Sequence, residues 1–314
     1  KKIPQLSEKG SWLPAVKDVT KNIRLLECSY NEAELKQCKE INSSSAWEVR
    51  TEQTMANGGK LYTFSFTARQ DMKDAGVAVA FDQYGWTSDN YVMIPSSVYN
   101  GNRQRIVNRA YATGLDNTDY RRKDLALTSN PIPQLSPEYG AGSRLEVNIS
   151  NTATPAITIL DRAKQKGIFL LTDQGIDWNN QVLDHALIVE ETPDRSVASF
   201  IISAPGVRER KPEFIGFSKS PDRGVQVKKG DQIVIRVTEV TFPCKDVPEL
   251  LARFMKDRKS HAGGEAPRNL MPMSEVLTRM VKNIDDRYYI GDQWHGARCG
   301  ESRPLVRHNI IKRI

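Results

Sequence analysis

Residues Ala46–Arg69 read AWEVRTEQTMANGGKLYTFSFTAR, and the fold follows from how this stretch divides. Asn57-Gly58-Gly59 supplies residues that accept a positive φ, as a tight reversal between two strands requires. After it, in Leu61–Arg69, Tyr62, Phe64 and Phe66 alternate with Thr63, Ser65 and Thr67, the period of a strand buried on one face. Before it, Ala46–Met55 forms the partner strand. The unit is an antiparallel hairpin.

Strand-like runs repeat outward from this hairpin. They include Asn22–Tyr30, Val77–Phe81, Tyr91–Ile94, Leu145–Ile149, Ala156–Leu160 and Gly167–Thr172. Ala186–Glu190, Val197–Ser203, Gly224–Lys228 and Gln232–Phe242 follow, with turns at Thr192-Pro193-Asp194, Ala204-Pro205-Gly206 and Lys229-Gly230-Asp231. A short helix is expected over Glu34–Glu40, and residues 112–142, rich in Asp, Asn, Pro and Gly, read as surface loop. This many short strands predicts a mainly β protein, a large antiparallel two-layer β-sandwich.

Near Pro243 the period changes. Pro248–Lys259 places Leu250, Leu251, Phe254 and Met255 at helical spacing, and Met273–Asp286 places Val276, Leu277, Met280, Val281 and Ile284 likewise. The expected organisation is a lead-in over 1–20 anchored by Trp12, a sandwich over 21–243, a helical extension over 244–290, and an irregular basic tail over 291–314.

The chain has 314 residues, 39% of them hydrophobic, and no apolar run near the roughly 18 residues of a membrane helix. It begins Lys1-Lys2, which fits a mature exported protein or a trimmed one. The net charge is +7, but five bases against one acid in His295–Ile314 account for +4 and leave +3 for the other 294 residues. That is not a nucleic-acid stripe, and nucleic acid is not an expected partner. Cys28, Cys38, Cys244 and Cys299 contain no C-x-x-C pair. Cys28 and Cys38 either close a short loop in an oxidising compartment or remain buried thiols.

No nucleophile elbow, phosphate loop, zinc-protease helix or dinucleotide fingerprint is present, so no cofactor or metal is expected. His185, beside Asp184, reads as a strand-end polar residue that would suit acid–base work only if it faced a pocket. Gly114–Asp119 and Asp173–Asp184 are rich in oxygen ligands but lack calcium-loop spacing. Among the carboxylates Asp82, Asp89, Glu190, Glu191, Asp285 and Asp286 no catalytic pair stands out. Glu190 and Glu191, as strand neighbours, point to opposite faces.

The stretch Tyr91–Arg103, YVMIPSSVYNGNR, is more informative. Pro95 ends the strand, and Asn100-Gly101-Asn102 makes a turn. Tyr99, Asn100, Asn102 and Arg103 then bring a ring face, two amides and a guanidinium fork to one loop, a set suited to a sugar and its carboxylate; otherwise the tyrosine packs inward. Trp86, in Tyr84-Gly85-Trp86, and Trp178, in Asp177-Trp178-Asn179-Asn180, are candidate stacking platforms in polar surroundings.

Several segments together carry a resemblance. YVMIPSSVYNGNR, GIFLLTDQG (Gly167–Gly175), LIVEE (Leu187–Glu191), SAPGVRERKPEF (Ser203–Phe214) and SPDRGVQVKKGDQIVIRV (Ser220–Val237) are similar to the N-terminal β-sandwich region of exported Bacteroidota polysaccharide-utilisation proteins. In that family a galactose-mutarotase-like super-sandwich precedes an (α/α) toroid of six-hairpin glycosidase type. The resemblance spans roughly residues 20–295 and implies a sandwich module in a periplasmic or cell-surface glycoside hydrolase or polysaccharide lyase. Its implied partners are an oligo- or polysaccharide, neutral or uronate-containing, and a downstream catalytic toroid beginning with the helices after Pro248. Catalytic residues are unassigned. Arg103 or Arg105 is the expected partner of a uronate. Two other readings follow from the same residues: a complete glycoside hydrolase using an acid such as Asp82 or Glu190 on the sandwich face, and a non-binding module that supports a catalytic domain through an apolar patch.

Overall fold

The computed structural model describes residues 23–30, 37–56, 58–103, 107–108, 127–128, 134–135, 143–179, 181–208, 210–213, 216–219, 222–261, 273–290 and 293–294. The chain divides into two compact units, residues 1–263 and 264–314. The first begins with strands β1 (Ile23–Ser29) and β2 (Gln37–Glu40), the hairpin β3 (Trp47–Ala56) and β4 (Gly59–Ala68), the long β5 (Met72–Tyr84) and the short β6 (Tyr91–Met93). Two-residue strands β7 (Val107–Asn108) and β8 (Leu127–Thr128) pair in parallel. Strands β9 (Ser143–Asn148), β10 (Ala156–Asp161), β11 (Lys166–Thr172), β12 (Ile176–Trp178), β13 (Gln181–Leu183), β14 (Ala186–Glu191) and β15 (Val197–Ala204) come next. A hairpin of β16 (Arg210–Glu213) and β17 (Gly216–Lys219), then β18 (Val225–Val227), β19 (Gln232–Pro243) and helix α1 (Val247–His261) complete this unit.

Two antiparallel sheets carry the fold. The seven-stranded sheet is centred on β5, with β1 and β2 to one side and β15, β14 and β9 to the other. The eight-stranded sheet is built on β19. Val237 of β19 pairs with Tyr62 of β4 on one edge and with Thr172 of β11 on the other. Strands β11 and β12 run end to end along that second edge, interrupted at residues 173–175, with β10 and β6 beyond β11 and β13 beyond β12.

The hairpin read from Ala46–Arg69 is present with the expected faces. Ala56 pairs with Gly59, and Gly58 takes a φ of 75°. Tyr62, Phe64 and Phe66 are buried while Thr63, Ser65 and Thr67 stay half-exposed. Together with Trp47, Ile157, Ile159, Ile233 and Ile235 they face Val77, Val79, Leu145, Leu187, Phe200 and Ile202 of the other sheet across the main core. Each such side chain contributes about 1.5–3 kcal/mol by leaving water. The protein is a mainly β, two-layer sandwich with a small helical C-terminal part, as expected.

Helix α1 covers the outer face of the eight-stranded sheet. Leu250 and Phe254 pack with Phe169, Leu171 and Phe242, and Phe254 meets Phe169 edge-on at 5.6 Å. Only half of its predicted stripe is used, since Leu251 and Met255 are exposed. The second unit contains α2 (Met273–Tyr288) and a small hairpin, β20 (Tyr289–Ile290) with β21 (Gln293–Trp294). The predicted helical region 244–290 is therefore divided between the two units. Trp12, the lead-in, most of residues 112–142 and, apart from Gln293–Trp294, the basic tail lie outside the described residues.

The helix expected over Glu34–Glu40 is not formed where the chain is described. Gln37–Glu40 is a strand, because pairing to β1 outweighs local helix propensity. That register sets Cys28 opposite Cys38, and the two are joined by a disulfide. Of the two alternatives for these cysteines, the closed loop is the one seen. With a sequence separation of 10, cross-linking removes loop entropy from the unfolded chain equivalent to about 3 kcal/mol. A Cys28→Ser/Cys38→Ser variant is expected to lose about 2–3 kcal/mol in urea unfolding; no loss would mean the bridge adds nothing to this edge.

Candidate functional site

The Tyr99 loop is built from below. β6 pairs with β10, Ile94 bridges to Val98, and buried Pro95 closes the ladder. Ser96, Asn100, Gly101 and Asn102 all take positive φ, between 50° and 65°. Gly101 is required here for a second reason. A Cβ at this position would meet Leu135 Cδ1 at 2.8 Å, and its carbonyl accepts the Leu135 N–H at 2.8 Å. Asn102 is buried and works inward. Its Oδ1 accepts the Tyr99 N–H at 2.9 Å, and its Nδ2 donates to the Ser97 carbonyl at 3.0 Å. Ser96 N–H donates to the Tyr99 hydroxyl at 3.3 Å. Tyr99 is thus held at backbone and hydroxyl, yet remains 56% exposed, with exposed Asn100 beside it.

Arg103 is not available to a ligand. Its guanidinium grips Glu191 with both terminal nitrogens, Nη1 to Oε2 at 2.9 Å and Nη2 to Oε1. Arg195 Nη1 donates to the same Oε2 at 3.0 Å, and Trp86 Nε1 donates to Oε1 at 2.7 Å. The side chain of Glu191 is fully enclosed, and those of Arg103 and Arg195 nearly so. This hub fastens the Tyr99 loop to the end of β14. The expectation that Arg103 recognises a uronate is corrected on that ground. Arg105 lies outside the described residues.

The two tryptophans are also interior. Trp86 is 2% exposed and meets Phe200 edge-on at 5.4 Å, so neither ring face is open to a sugar. Trp178 pairs with Gln181 in the β12–β13 hairpin, and its half-buried ring packs against the main core. It is also remote. Met93 is two strands from the β11–β12 line and Trp178 lies several residues further along, on the order of 20 Å away. The structure brings Tyr99, Asn100, Asn102, Arg103 and Trp86 to one corner, and leaves Trp178 out.

The carboxylates proposed for catalysis are committed elsewhere. Asp82 is fully enclosed and accepts from Arg24 Nη2 at 2.9 Å and from Ser199 Oγ. Glu190 is buried opposite Ser199 and Arg144, on the face away from Glu191, as strand alternation requires. Asp173 and Asp177 both pair with Arg236, at 3.4 and 2.7 Å, and Asp184 accepts from Ser150 Oγ at 3.0 Å. Gly114–Asp119 lies outside the described residues, and among the described residues no group of three metal-ligating side chains converges. His185 is closed off from solvent. It is wholly buried, its Nε2 lies 2.8 Å from Thr172 Oγ1, and burial pushes its imidazole down to about 3.

Sequence reasoning missed Glu191 as the hub and Arg195 as its second cation. The usable signal was the turn Thr192-Pro193-Asp194, which folds Arg195 back onto Glu191 four residues earlier. Among the described residues no helix is long and apolar enough to cross a membrane. Compared with known proteins, the chain matches no family model, no curated protein and no solved structure.

Proposed function

We propose that this chain is a glycan-recognising β-sandwich module of an exported carbohydrate-active protein, with the Tyr99 loop as its contact surface. The observation that carries the reading is Tyr99 itself. A ring more than half exposed is fastened at its backbone and its hydroxyl on a loop locked by Asn102 and the Glu191 hub. Such a ring loses little freedom on binding, and offers its face to sugar C–H groups while Asn100 serves hydroxyls. The segment resemblance to polysaccharide-utilisation sandwiches and the Cys28–Cys38 disulfide support the exported setting. Catalysis is assigned to another domain, because Asp82 and Glu190 are buried.

Tyr99→Ala is expected to weaken oligosaccharide binding about tenfold, near 1.4 kcal/mol, with an unchanged melting temperature. Titration calorimetry on both proteins checks this, and an unaltered Kd would remove the loop from the account. A supporting role beside a catalytic domain is the second reading. It is favoured by the apolar stripe of α2, where Leu277, Met280, Val281 and Ile284 are each 41–57% exposed.

A further inference from the structure

With Arg103 committed to Glu191, the Tyr99 loop holds no uncommitted cation among the described residues. One stands beside it. Leu160 of β10 pairs with Tyr91, and Arg162 follows two residues on, at the turn between β10 and β11. Its backbone N–H donates to Asn90 Oδ1 at 3.2 Å, and its Nε donates to the Asp89 carbonyl at 2.8 Å. These bonds fix the stem of an otherwise exposed side chain, whose terminal nitrogens make no hydrogen bond among the described residues. Among the described residues no carboxylate pairs with it. Neighbouring Asp161 is turned inward, to Lys164 Nζ at 2.9 Å and Gln83 Nε2 at 3.0 Å.

Tyr91 links Arg162 to the loop. The antiparallel Ile94–Val98 bridge brings the loop back along β6, and burial together with the nearby Tyr99 phenol raises the Tyr91 hydroxyl above the ordinary range, with the Asn100 backbone and the Arg162 guanidinium acting the other way. Exposed Tyr99 and Asn100 on the returning loop and exposed Arg162 at the end of β10 therefore lie on either side of buried Tyr91.

We propose that Arg162 is the specificity-determining cation of this surface, and that its ligand is an acidic glycan whose carboxylate or sulfate sits on the Arg162 guanidinium while the ring lies on Tyr99. The proposal rests on the glycan reading of the Tyr99 loop. A guanidinium whose Nε is already fixed has less rotamer freedom to lose, and its remaining fork matches a carboxylate or sulfate bidentately. Because the pair is exposed, salt must weaken it.

The test uses the intact chain, with Arg162→Gln and Tyr99→Ala, titrated with a neutral, a uronate and a sulfated oligosaccharide of equal length at 50 and 300 mM salt. The wild-type chain is expected to prefer an acidic sugar about tenfold at low salt and less at high salt. Which acidic arm binds tighter identifies the anion. Arg162→Gln should erase the preference and keep the affinity for the neutral sugar, while Tyr99→Ala weakens all three. Equal binding of neutral and acidic sugars by the wild-type chain, or an acid preference that survives Arg162→Gln, overturns the Arg162 assignment and leaves the glycan reading intact. No binding of any of the three overturns both. Matching melting temperatures exclude misfolding of the variants.

Discussion

Glu191→Ala is expected to destabilise the protein by about 3–5 kcal/mol, the largest effect of any single substitution considered. The carboxylate is fully enclosed and accepts from Arg103, Arg195 and Trp86. Removing it strips Arg103 of its bidentate partner, takes one partner from Arg195, and leaves the Trp86 N–H without an acceptor. An orphaned buried cation costs several kcal/mol, far more than the pair itself contributes relative to an apolar replacement. The consequence reaches the surface, because Arg103 ties the Tyr99 loop to β14. Urea unfolding should show a lower midpoint at an unchanged slope, and glycan affinity should fall with it. A loss below about 1 kcal/mol would mean that the cations find other partners, and that the hub does not hold the loop.

Acid should unfold this protein early, through His185. Its imidazole is lowered to about 3 by burial, whereas in the unfolded chain it titrates at its ordinary value of 6.5. Between those values the unfolded chain binds a proton that the folded one excludes, so stability falls as pH falls. Above 6.5 the residue contributes no pH dependence. The slope is about 1.4 kcal/mol per pH unit, which removes roughly 3 kcal/mol by pH 4.5. His185→Gln keeps a group able to bond Thr172 and cannot titrate. Its stability should therefore drop less steeply than that of the wild-type chain between pH 6.5 and 4.5. Parallel slopes would show that His185 is solvated or paired when charged.

How far the sequence could be read depends on the range of the interactions. The β3–β4 hairpin was legible because burial of one face imposes a two-residue period on Tyr62, Phe64 and Phe66. Strand β2 was not, because its four largely polar residues are extended only by their pairing with β1. Trp86 follows a turn in polar surroundings and reads as exposed. It is instead enclosed by a bond to Glu191, 105 residues away. Arg103 reads as a free fork, but its partner lies 88 residues on. Local composition carries no trace of such closures. For Tyr99 the sequence left two readings, a ring at the surface or one packed inward, and the structure shows the first, with Asn100 exposed beside it. Arg162 escaped notice because it sits in an ordinary charged turn. Only the pairing of β10 with β6 brings it beside Tyr91.

The most direct measurement is titration calorimetry of the intact chain against neutral and acidic oligosaccharides, with the sugars recovered afterwards and sized by mass spectrometry. A glycan-recognising module without its own chemistry predicts saturable binding to at least one of them and sugars returned at unchanged length. Silent titrations across the set, or new chain ends in the recovered sugars, would contradict it.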